Sequence, residues 1–90
     1  MATTSISPRI AREDYAAFRA LLPGDPDLPD TFEEWQSINL RDDAKRVKSG
    51  HQVQGVAVAP AEFAEYCRAC GRPASGAMLL AFAVAKAARG

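Results

Sequence analysis

The sequence predicts a mainly α-helical chain with four helices and one central β-strand, the strand pairing with its copy in an intertwined homodimer. Three observations carry that expectation. Apolar residues recur at helical spacing in four segments separated by Pro and Gly breaks. A single run, His51 to Ala59, has the Val-rich character of a strand, and a lone strand leaves both edges without partners. The last segment is almost uncharged, so it needs covering on most sides. Ninety residues make one small domain whose own core is only marginally sufficient. A second copy supplies what one chain lacks. The expected organisation is a helical pair over residues 1–50 and a strand-helix-helix dimerisation segment over residues 51–90.

Met1 to Ser7 reads as a short polar leader with a frayed end. Ser7-Pro8 suits a helix entry, with Ser as cap and Pro in the first turn, and a start near Arg12 fits equally. Tyr15, Phe18 and Leu22 follow at helical spacing, and Pro23-Gly24 ends the helix. Pro23 to Asp30 reads as a stiff connector, because each proline lacks an N–H and restricts its predecessor. Leu28 is expected to pin it to the core. The prolines and the lack of a central Gly or a closing Glu argue against a calcium loop at Asp25, Asp27 and Asp30.

Thr31-Phe32-Glu33-Glu34 has the pattern of a capping box, and the helix it opens should reach Ser49, with Gly50 as its left-handed cap. Its apolar residues fall into two patches. Trp35 and Ile38 lie on one side, Leu40, Ala44 and Val47 on another, and Phe32 lies between. Such a helix touches two neighbours, and one of them can be a partner chain.

Along the strand one face carries Gln52, Gln54, Val56 and Val58, and the other carries Val53, Gly55, Ala57 and Ala59. Pro60 starts the next helix, where Phe63, Tyr66, Cys67 and Cys70 define a buried face. Gly71 and Pro73 stop it. Ser75 caps the last helix, which presents Met78, Leu79, Leu80, Phe82 and Val84 among alanines. The expected dimer core is therefore Val53, Val56, Val58, Phe63, Leu79, Leu80, Phe82 and Val84.

Several function classes are excluded by chemistry. Cys67-Arg-Ala-Cys70 lies in a last helical turn, where the dipole favours the neutral thiol, so both cysteines read as core. Zinc needs more ligands than two cysteines and the sole histidine, His51, provide, so neither a metal nor any other cofactor is expected. No nucleophile–base set and no Gly-rich phosphate loop can be assembled, so no catalytic residue is assigned and no enzyme is expected. Acidic and basic residues balance at 11 each, which removes the general electrostatic case for nucleic acid. The longest uncharged apolar run, Ala74 to Ala85, is too short to span a membrane, and no signal peptide opens the chain. A cytoplasmic protein with reduced cysteines is the default.

The order of strand, Pro-Ala-Glu-Phe helix, Cys-Gly-Arg-Pro-Ala-Ser turn and apolar helix resembles the ribbon-helix-helix family over residues 52–88. The resemblance implies an antiparallel ribbon made by two chains. Its outward side chains would enter the major groove of DNA, and the second helix's N-terminus would grip a phosphate. Carried onto this chain, the DNA contacts would fall to Gln52, Gln54, Arg72, Ser75 and Gly76. Glutamines can read adenine edges, whereas Val56 and Val58 offer a base no hydrogen bond. Those valines and the neutral charge place a dimeric protein-interaction or structural module first, with itself and another protein as partners. A DNA-binding regulator or antitoxin stands as the alternative.

Overall fold

Two strands, not one, set the frame. The computed structural model describes residues 3–89, with β1 over Thr3–Ile10, α1 over Tyr15–Leu21, α2 over Phe32–Lys48, β2 over His51–Val58, α3 over Pro60–Cys70 and α4 over Gly76–Arg89. A short 3-10 turn at Arg12–Asp14 leads into α1. β1 and β2 run parallel in full register, from Thr3 opposite His51 to Ile10 opposite Val58. Parallel strands need a long crossover, and α1, the proline-rich connector and α2 provide it.

β1 corrects two expectations at once. Residues Thr3 to Ser7 are not a frayed leader, Met1 and Ala2 lying outside the described residues, and Ser7-Pro8 is not a helix entry. Thr3, Thr4, Ile6 and Ile10 supply the β-branched character of a strand. Pro8 is compatible with this place because β1 has a neighbour on one side only, so its missing N–H can lie on the open edge. The single-strand expectation falls with it. β2 has a partner within its own chain.

The remaining elements follow local chemistry closely. Thr31 Oγ1 accepts from Glu34 N at 3.2 Å and donates to the Glu34 carboxylate at 3.1 Å, which holds the first turn of α2. Its last turn carries Lys45, Arg46 and Lys48 against the negative end of the dipole. Gly50, at φ 92°, turns the chain straight into β2. Gly71, at φ 66°, gives α3 a left-handed cap, with Arg72 N bonding back to Cys67 O at 3.2 Å.

The core lies where α1, α3 and α4 meet one face of the sheet. Ile10, Val56 and Val58 enter it from the strands, with Phe18, Phe63, Leu79 and Phe82 from the helices. Phe18 and Phe63 are fully enclosed, with ring centroids 5.9 Å apart, and Phe82 stands 6.0 Å from Phe63. Leu28 is buried as expected and ties the connector to this core. A second aromatic group, Tyr15 with Phe32 and Trp35, fastens α2 to α1.

Candidate interaction surface

Gln52, Gln54 and Arg72 are exposed. Val56 and Val58, read as the outer end of the same strand face, are instead sealed at 8% and 4% exposure in the chain's own core. The alternation was right and its direction was not. Ile10 and α4 cover the valines, leaving only the glutamine half of that face in water.

The N-terminus of α4 is already in use. Ser75 Oγ accepts from Met78 N at 3.1 Å, and Gly76 N donates to Asp25 Oδ2 at 3.1 Å. A Cβ on Gly76 would stand 3.0 Å from Asp27 Oδ2. Two carboxylates thus sit where an anion would be gripped. They satisfy the free N–H and the dipole from inside the chain, and they repel a phosphate. Asp25 thereby ties the connector to α4, with Asp27 beside it. The same aspartates rim a cleft of about 200 Å³ whose apolar walls include Leu22, Leu28, Trp35 and Leu79.

The opposite face of the sheet is polar. Ser7, enclosed at 1% exposure, donates to Asn39 Oδ1 at 3.3 Å and lies 3.5 Å from Asp43 Oδ2. Arg9 reaches the same carboxylate at 2.7 Å, and Arg46 reaches its other oxygen at 3.1 Å. Gly55 leaves room for this arrangement, since a Cβ there would lie 2.6 Å from Arg9 Nε. Asp43 is buried with its charge compensated twice. This cluster anchors α2 to β1.

The cysteines part company. Cys67 is buried and its thiol is pushed up by that burial, whereas Cys70 is exposed. The expectation of two core cysteines therefore holds for one of them. His51 Nδ1 lies 3.2 Å from Ser5 Oγ, a local link between the strand ends. Among the described residues, no group of three or more His, Cys, Asp and Glu could hold a metal ion. No helix among them is long and apolar enough to cross a membrane.

Large apolar side chains also remain exposed. Phe63, Leu79 and Phe82 of the expected dimer core lie inside the monomer, Val53 is half-buried on β2, and Leu80 and Val84 are 47% and 46% exposed on α4. On α2, Ile38 is 40% exposed, and Leu40 and Val47 are each 59% exposed. Of the two apolar patches read on this helix, Trp35 packs against the core, whereas its patch-mate Ile38 and the whole Leu40–Ala44–Val47 side stay exposed. No family model, no curated protein and no solved structure matches the chain.

Proposed function

We propose that this chain is a small dimeric protein-interaction or structural module with no catalytic role. The observation that carries the reading is the set of large apolar side chains left in water on α2 and α4 by a chain that has otherwise built its own core. Isolated exposed leucines need no explanation, but apolar residues sharing one side of a helix mark a surface that meets another protein. The open edge of β2 adds main-chain groups suited to a strand from a second copy. The electrically neutral composition agrees with a partner that is protein rather than nucleic acid.

The ribbon-helix-helix alternative retains the exposed Gln52, Gln54 and Arg72 and the strand-helix-helix order of β2, α3 and α4. It lacks a free phosphate grip, because Asp25 occupies the Gly76 N–H. Sedimentation equilibrium from high micromolar to nanomolar concentration tests the proposal, with reversible dimerisation as the expected result. A chain that stays monomeric throughout, yet binds duplex DNA at low salt and loses that binding in Gln54→Ala or Arg72→Ala, would overturn it in favour of the regulator.

A further inference from the structure

We infer that the seat for the second copy is the open edge of β2 together with the Leu40–Ala44–Val47 side of α2, which turns away from the β1 edge because Trp35, across the helix, shares a cleft with Pro8; this rests on the dimeric reading above. The edge is identified by proline chemistry. Pro8 has no N–H, so its nitrogen belongs on the side of β1 away from β2. Main-chain groups alternate in direction along a strand, so those of Ser7 and Arg9 turn toward β2. Through the parallel ladder, those of Val53, Gly55 and Ala57 then turn away from β1. Ala57 O behaves accordingly, accepting from Lys86 Nζ at 2.9 Å instead of from a strand. Lys86 blunts that end of the edge and leaves the His51–Gly55 part open.

The spacing then fits a two-fold copy. An antiparallel β2 pair makes a four-stranded sheet, with each α2 over its own strand pair. α2 is held over β1 by Asn39 and Asp43 and packs on β2 directly. The two α2 axes come to lie two strand spacings apart, roughly 9–10 Å. That separation matches the ~8–10 Å at which helices pack.

The axis also falls at one level on both elements. From Lys48 back to Leu40 the helix rises about 12 Å, which corresponds to between three and four strand residues beyond His51, at Gln54 to Gly55. A two-fold there sets Val53 opposite the partner's Gly55, pairs main-chain groups that both face outward, and brings Leu40 against the partner's Leu40.

Charge supports the same arrangement. α2 is acidic in its first turn, at Glu33 and Glu34, and basic in its last, at Lys45, Arg46 and Lys48. Antiparallel copies place Glu33, which pairs with Arg12 in its own chain, beside the partner's Lys48. Like ends are kept apart, so the surface is complementary to itself.

Leu40 is largely exposed, so changing it leaves the monomer's core intact, which circular dichroism of each variant checks. Leu40→Glu puts two carboxylates on the axis, and it is expected to raise the dimer dissociation constant by about tenfold or more. Leu40→Cys, made with Cys70→Ser, is expected to form a covalent dimer under mild oxidation, because the axis brings its Cα within disulfide range of its own copy. Leu80→Cys in the same background is expected not to do so. A dimer that tolerates Leu40→Glu and cross-links through Leu80→Cys places the copy on α4, and it overturns this inference while leaving the dimeric reading standing. A chain monomeric at every concentration overturns both.

Discussion

On one face of the β1–β2 sheet, Ile10, Val56 and Val58 are sealed among phenylalanines and leucines; on the other, Ser7, Arg9 and Gly55 meet α2 through a buried carboxylate. Both faces belong to the same two strands, yet the contacts differ in kind. The apolar face gains from area removed from water, which is non-directional and tolerates small shifts. The polar face depends on a few directed bonds around Asp43, each of which fails if its partner moves. Fastening α2 by polar contacts also has a consequence for its surface. Only the Phe32–Trp35 part of the helix uses apolar side chains to hold itself in place, so Leu40 and Val47 stay outside the monomer's core.

Phe63→Ala should break the apolar face most severely, removing an enclosed ring at a cost of about 3–5 kcal/mol, a large share of the stability of a chain this size. Urea denaturation measures it. Asp43→Ala removes the one group that Ser7, Arg9 and Arg46 share, but both arginines stay partly solvated, so a loss of about 1–2 kcal/mol is expected. If the two substitutions cost the same, the contrast between the faces is wrong.

Gly55→Ala tests the polar face from the strand side. The new methyl must displace the flexible Arg9 side chain, and a loss of about 1 kcal/mol is expected, shrinking once Arg9→Ala is already present. Asp25→Asn is smaller again, at roughly 0.5 kcal/mol, because the amide still accepts from Gly76 N while the charge at the helix dipole is gone.

The apolar core also sets a pH limit. Burial raises the Cys67 thiol, so the folded state keeps that proton to higher pH than the unfolded chain does. Stability is therefore full below the ordinary thiol range and declines as pH rises above it, and Cys67→Ala should flatten that decline. Alkylation gives an independent check, with Cys70 reacting in the folded protein and Cys67 only on unfolding.

The readable parts of this fold were those set by local chemistry. Thr31 with Glu34, Gly50, Pro60 and Gly71 mark the ends of α2, β2 and α3 because caps and turns act within a few residues. The sequence is ambiguous at Ser7-Pro8 of β1, where a cap followed by proline describes a helix start and an edge strand equally well. Thr3, Thr4, Ile6 and Ile10 held the missing signal. The candidate surface was half legible. The two patches on α2 show in the helical spacing, but which of them packs on the core depends on where Tyr15 comes to rest.

By itself, then, the sequence determined the ends of α2 and α3, the Ser75 cap of α4 and the strand-helix-helix order, since all of these depend on residue type and spacing along the chain. Only the tertiary structure decided that β2 is paired in parallel within its own chain, that Val56 and Val58 face inward, and that Asp25 takes the α4 N-terminus. Each of those joins residues far apart in the chain. A side chain's alternation tells which neighbours share its face, but only the packing of distant segments tells which face meets water.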